Sequence, residues 1–401
     1  MAATSLPSPK RSTIAITGCA VVKSPNFICI VGVFGAVFLL AASLTACRFP
    51  GAVRPVVKLG LVAPFEGRYR YVGYDVIYAV RLAVREVNAA GGVGGYGVEL
   101  IAYDDGADPA LAVEQARKLA VDPAVVAAIG HFREETTRSA VSVYAEAGMS
   151  LVGPAVFTPG LADGVEGAFV YRLGPPAQVV AGAILERIEG LRLQQAEGVR
   201  TTLVTQGGPL GEAVQQLTPS ALPMTLVSPE EADWVATVLA SNPDVVVGDA
   251  DPVTAGEVVA ALRAAGWQGS FLGGPELSAA DFVAVAEGAA VGALFVTPYP
   301  LPADVPGSAD FAAAYREVSG GVSPGPLALP TYEAAWVVLE ALAEDISAGG
   351  PTRAGIAAAL SVVERDGALG GIRWDADGDW TAAPLYWYRV GEGGALSPVQ
   401  F

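Results

Sequence analysis

The stretch GGVGGYGVELIAYDDGADPALAVEQARKLA, residues 91–120, runs a helix stop, a strand and a helix start together. Within it GVGGYG, residues 92–97, matches the dinucleotide fingerprint G-x-G-x-x-G. That fingerprint works between a strand and a helix N-terminus, where the helix dipole faces pyrophosphate. Here the glycines separate the end of a helix from a strand, so they read as a turn. VELIAYDD then reads as a strand. Asp108 as N-cap with Pro109 at the first helical position opens the helix behind it.

Working outward, the same alternation continues on both sides. Upstream, residues 56–62 form an apolar strand, followed by a helix in which Val76, Val80, Ala83, Val84 and Val87 share one face until Gly91 and Gly92 stop it. Downstream come a strand in AVVAAIG (124–130), a helix from about Thr136, and a strand in MSLVGP (149–154). After residue 175 the series starts again. RTTLVTQ (200–206), PDVVVG (243–248) and GSFLGG (269–274) are strand-like, with WVATVLAS (234–241) and TAGEVVAALRAAG (254–266) helical between them. Short apolar strands alternating with helices predict parallel sheets covered on both faces, and two such series predict an α/β fold of two doubly wound lobes. GVSPGPLALP (321–330) reads as a loop before a long apolar helix over 331–343, and LYWYRV (385–390) as an edge strand.

Composition excludes several function classes. The 401-residue chain is 52% apolar and carries 24 Lys+Arg against 41 Asp+Glu. Lys10, Arg11 and Lys23 precede residue 48 and no acid does, which leaves 21 basic against 41 acidic residues in the body. Such a surface repels a phosphate backbone, so no nucleic-acid partner is expected. The cysteines are Cys19, Cys29 and Cys47, and the single histidine is His131. The body therefore has no disulfide framework and cannot build a His/Cys zinc site. Neither a metal nor another cofactor is expected.

Residues 24–47 carry no charge, and they follow Lys10, Arg11 and Lys23. Basic residues, an apolar stretch, then small residues is the order of an export signal. The ending Leu44-Thr45-Ala46-Cys47 resembles a bacterial lipobox, which implies cleavage before Cys47 and a diacylglycerol on its thiol. An uncleaved anchor and a conventional signal peptide are the alternatives, since a span of this length also crosses roughly 30 Å of bilayer at ~1.5 Å per residue. The main readings place the body outside the cytoplasm, held at the membrane.

Two further motifs invite chemistry. DADGD (375–379) suggests a calcium loop, but glycine stands at the fourth position, Gly378, and Tyr386 at the twelfth, where an EF-hand needs glutamate. A tight turn is the better reading. GHFREETT (130–137) mixes His131 with acids, arginine and hydroxyls, yet the body has no cysteine and no G-x-S-x-G elbow to pair with that histidine. A structural histidine is expected, and the chain is not read as an enzyme.

The segments VKLGLVAPFEG (57–67), REVNAAGGVGGYGVELIAYDDGADPALAVEQARKLA (85–120), AIGHFREETTRSAVSVYAEAGMSLVGPA (128–155) and ALRAAGWQGSFLGGPE (261–276) closely resemble a known family. It is that of type I extracytoplasmic substrate-binding proteins serving ABC importers of branched-chain amino acids. Beyond the signal segment at 1–47, the resemblance implies a first lobe of 55–174 plus 300–371, and a second of 175–299 plus 372–401. It implies three crossovers, near 172–176, 297–301 and 370–374, and a ligand held in the cleft between the lobes. The partners implied are an amino-acid-like small molecule and an ABC permease, with the protein itself a monomer. A ligand sensor of the same fold, acting on a signalling partner, is the alternative function.

Carried over residue by residue, the resemblance implies a ligand site of Tyr71, Glu134, Glu135, Thr136, Ala155, Val156, Phe157, Leu210, Asp249 and Glu276, with Tyr69 and Asp251 beside it. Two positions depart from the family pattern. Glu134 stands where a serine helps hold the ligand carboxylate, and Phe157 where a threonine helps hold the ammonium. Glu276 matches the acidic partner of that ammonium. Glu134 and Glu135 are then either solvated acids at a helix start or part of a cleft tuned to a cation or neutral amide.

Overall fold

The computed structural model describes residues 54–167, 169–194, 198–381 and 383–401. The leader and the proposed lipid-attachment residue Cys47 lie outside them. Among the described residues no helix is long and apolar enough to cross a membrane.

The two series of apolar strands become two sheets. In the first, β1 (Val56–Ala63), β2 (Gly97–Asp104), β3 (Val125–Gly130), β4 (Ser150–Gly153) and β5 (Val170–Arg172) are all parallel, in the order β2-β1-β3-β4-β5. β3 and β4 are buried along their whole length, which is why they read as unbroken apolar runs. The helices between them are α1 (Arg70–Ala89), α2 (Pro109–Ala120) and α3 (Glu134–Glu146). α1 buries Val72, Val76, Val80, Ala83 and Val87 on one stripe. Its exit turns at Gly92, with φ +81°, where a Cβ would lie 2.0 Å from the Tyr96 carbonyl oxygen. The glycine run is a turn between helix and strand. Asp108 caps α2 by accepting from Leu111 N at 2.8 Å.

The second sheet contains β6 (Thr201–Thr205), β7 (Met224–Val227), β8 (Val245–Asp249), β9 (Ser270–Gly273) and β10 (Leu294–Thr297). α4 (Ala177–Gln194), α5 (Pro209–Leu217), α6 (Trp234–Ala240), α7 (Pro252–Ala264) and α8 (Ala280–Ala286) accompany them. The chain then returns to the first sheet. α9 (Ser308–Ser319), α10 (Ala328–Ser347) and α11 (Arg353–Leu360) follow, and Val337, Val338 and Ile356 pack in the core that holds Leu59 and Leu61. A hairpin of β11 (Arg365–Gly367) and β12 (Gly370–Ile372) precedes β13 (Tyr386–Val390) and β14 (Leu396–Val399), which complete the second sheet in the order β14-β13-β10-β9-β8-β6-β7.

Three expectations are corrected. The helix expected over 331–343 begins at Ala328, because Pro330 falls in the first turn, where its missing N–H costs nothing. Asp75 of α1 secures that entry by accepting from Gly325 N at 2.8 Å and Leu327 N at 2.7 Å. The segment LYWYRV is not an edge strand. β13 pairs with β10 on one side and β14 on the other, and the edge falls to β14, whose Pro398 an edge position tolerates. The third passage between sheets does not fall at 370–374. DADGD is a tight turn in which Asp375 accepts from the backbone N–H of Asp377 and Asp379, and Gly378 O accepts from Arg172 N of β5 at 2.8 Å. Arg172 also pairs with Asp379, and Trp380 packs in the first core, so the chain leaves that sheet only after Trp380.

Candidate functional site

β3 ends at Gly130, where φ is +122° and a Cβ would sit 2.1 Å from the Val62 carbonyl oxygen. Only glycine allows the chain to turn out of the sheet this close to β1. The loop that follows carries His131, Phe132 and Arg133 into the start of α3. His131 turns inward and is fully buried. Its Nδ1 lies 2.7 Å from Asp105 Oδ2 and its Nε2 3.0 Å from the Tyr144 hydroxyl. Thr137 donates to the carbonyls of His131 and Arg133, which fixes the loop from behind.

What the loop presents is a cavity of about 190 Å³ at the carboxyl ends of both sets of strands. Of the expected site residues, Tyr71, Glu134, Glu135, Ala155, Phe157, Asp249 and Glu276 line it. Thr136, Val156 and Leu210 do not. Thr136 is buried and bonds back to the Arg133 carbonyl, Val156 is 1% exposed, and Leu210 packs in the core under the second sheet. Their neighbours face the cavity and they face the protein. The sequence reading missed Phe132, Arg133, Gln206, Tyr299 and Leu327 as lining residues. Tyr299 had a signal, since it stands in the expected second crossover. Phe132 and Arg133 had one too, beside Glu134 in the GHFREETT loop, whereas Gln206 and Leu327 had none.

The lining is acidic, but most of its carboxylates are occupied. Glu134 turns back along α3 to Arg138, at 2.6 Å. Burial pushes its carboxyl above the usual range, against the pull of Thr158 and Arg138. Glu135 is exposed, with Arg133 Nη2 at 3.5 Å. The Arg133 guanidinium lies 3.9 Å from the centre of the Tyr69 ring. Asp249 accepts from the Thr205 hydroxyl at 2.6 Å and Gly208 N at 3.1 Å, and burial raises its pKa. Glu276 differs. Among the described residues no ion pair and no hydrogen bond from another residue reaches its carboxylate, and burial, reinforced by Asp249, pushes it up to about 7. The half-buried Tyr71 phenol is likewise pushed up, by desolvation and by Glu276.

Asp251 joins the two sides of the cleft. It caps α7 by accepting from Val253 N at 3.1 Å and Thr254 N at 3.3 Å, and also accepts from Arg68 Nε at 2.8 Å, 183 residues away in sequence. Arg68 donates to the Thr254 hydroxyl as well. Burial works to raise the Asp251 carboxyl, but Arg68 and Thr254 together hold it below the usual range. Arg68→Ala is expected to change unfolding free energy by less than about 1 kcal/mol, since the arginine is half exposed. It should nonetheless shift the protein toward more open forms. Small-angle scattering in low and high salt checks this: the parent should expand on adding salt, and the variant should start expanded and respond less. Identical salt responses would show that the bridge does not hold the cleft.

Residues 56–395 match the model of the periplasmic binding protein family. The Leu/Ile/Val-binding protein of Escherichia coli (strain K12) is 26% identical over 365 residues, covering 85% of this chain and 92% of that protein. Among solved structures, the branched-chain amino acid transporter substrate binding protein of Streptococcus pneumoniae in complex with isoleucine superposes with a TM-score of 0.74 at 20% identity, over 86% of this chain and 99% of that one. A fatty acid ABC transporter substrate-binding protein from Thermomonospora curvata gives 0.75 at 20% identity, over 88% and 93%. These likenesses bear out the expected two-lobed α/β fold of type I periplasmic binding proteins.

Proposed function

The chain belongs to the periplasmic binding protein family, and from that premise we propose that it is the extracytoplasmic substrate-binding component of an ABC importer. It captures an amino-acid-like small molecule between two lobes that close on it, one built on each sheet. Relatives named for leucine, isoleucine and valine support this reading. The observation that carries it is Glu276, whose carboxylate receives no donor from another of the described residues, in a cavity whose other acids each hold an ion pair or a hydrogen bond. Such a group favours a ligand bearing positive charge or N–H donors. Cys47 would tether the mature chain to the membrane as a lipoprotein, so that a monomer passes its cargo to a permease. The family is one of binding and transport proteins, and the reading includes no catalytic step.

Thermal unfolding of the purified protein with amino acids, amides, amines and sugars tests the proposal. A ligand that binds only the native state should, at 100 times its Kd, add about 2.7 kcal/mol of stability. A shift with any nitrogenous small molecule supports capture. If every compound leaves the melting curve unmoved, the cleft does not serve a small solute of these classes.

A further inference from the structure

The cavity is as aromatic as it is acidic. Tyr69, Tyr71, Phe132, Phe157 and Tyr299 all line it, around Glu276. These rings are held in place. The Arg133 guanidinium stacks on Tyr69 at 3.9 Å. Tyr299 donates its hydroxyl to the Leu173 carbonyl at 2.6 Å, and its ring centre lies 6.3 Å from that of Phe157. Gly174 makes the last pair possible, because a Cβ there would lie 2.8 Å from Phe157 Cε1 and 3.0 Å from the Tyr299 oxygen.

A primary ammonium entering this space would bring three N–H donors, each costly to bury without an acceptor. Asp249 and Asp251 already hold donors of their own, Glu134 holds Arg138 on Oε1 and leaves only its buried Oε2 unpartnered, and position 157 offers a phenyl ring. An ammonium whose hydrogens are replaced by methyl groups has no such need. It retains its charge, presents an apolar surface, and is attracted to the faces of aromatic rings. We infer that the ligand presents an alkylated ammonium, of the trimethylammonium kind, to Glu276 within this wall of rings. The inference rests on the cleft being the capture site, and narrows which amines it takes.

Calorimetric titration of the full-length protein with matched pairs tests it: choline against ethanolamine, and trimethylglycine against glycine, with leucine alongside. The trimethylated member of each pair should bind at least tenfold more tightly. Phe157→Leu, which keeps an apolar side chain but removes the ring, should bring the ratio toward one while the ligand-free protein, somewhat less stable for the lost packing on Tyr299, still unfolds cooperatively. A primary amine or leucine binding as tightly as the methylated compounds overturns the inference and leaves capture of amino-acid-like solutes standing. Binding of only uncharged or anionic solutes overturns the inference and the cationic reading of Glu276, but not capture itself. A preserved ratio in Phe157→Leu, with Tyr71→Leu equally unaffected, overturns the role of the rings.

Discussion

Glu276→Gln is expected to weaken binding of a cationic ligand by roughly 30-fold or more, the equivalent of about 2 kcal/mol for removing one partner of a desolvated charge pair. The same change should make the ligand-free protein more stable. Burial lifts the Glu276 carboxyl to about 7, well above its value in an unfolded chain. Between the ordinary carboxylate range and about pH 7 the folded state therefore holds a proton that the unfolded state has released. Stability from this group is present below that window and declines as pH rises through it. Glutamine removes the decline, and the gain near pH 8 is on the order of 1–2 kcal/mol. Cation affinity runs the other way, rising through the same window as Glu276 ionises. Calorimetry at pH 5.5 and pH 8, paired with melting curves of parent and variant, reads both slopes. An affinity for cations that does not change with pH would show that Glu276 is not the group they meet.

This opposition is what a binding residue held in an unfavourable state looks like: the fold tolerates a carboxylate that would be more comfortable neutral, and a ligand relieves it. The neighbouring acids make the contrast. Glu134, which stands where the family pattern has a serine, pairs through Oε1 with Arg138, one turn along α3, while it still lines the cavity. Asp249 and Asp251 stand in the same lining but cap loops and helices of the second lobe.

The strands and helices were legible because their signals are local. An apolar run such as VVAAIG can only be buried, and Asp108-Pro109 can only start a helix at that point. What the sequence hid was settled at a distance. β14 carries too few apolar residues to announce itself and exists because β13 offers it an edge. The turn around Gly378 stays with the first sheet because Gly378 O pairs with Arg172 N, some two hundred residues earlier. The site was half legible for the same reason. A family pattern points to a loop, but whether a side chain in that loop faces the cavity, as Phe157 does, or the core, as Val156 does, depends on the backbone path around it. The Arg68 bridge has no local signature, since its partners meet only after both lobes have formed.

His131 is the other residue whose replacement should have a large effect, and there the effect should be on the fold. Its ring sits between Asp105 and Tyr144, and both His131 and Asp105 are wholly buried. Asp105 uses its other oxygen to hold Ala107 N at 3.0 Å, in the turn that leads to the cap of α2. His131→Ala would leave a carboxylate and a phenol without their partner in a dry interior, a loss of about 3–5 kcal/mol. Because the three groups act together, pairing His131→Gln with Asp105→Asn should cost less than the two single changes added. Ligand affinity should fall only modestly in any variant that still folds, since the histidine touches the binding loop from behind and never the cavity. Denaturant unfolding with parallel titrations separates the two effects. If His131→Ala were to unfold at the parent's midpoint while losing its ligand, the histidine would belong to the site rather than to its support, and the loop from 131 to 137 would have to be placed differently.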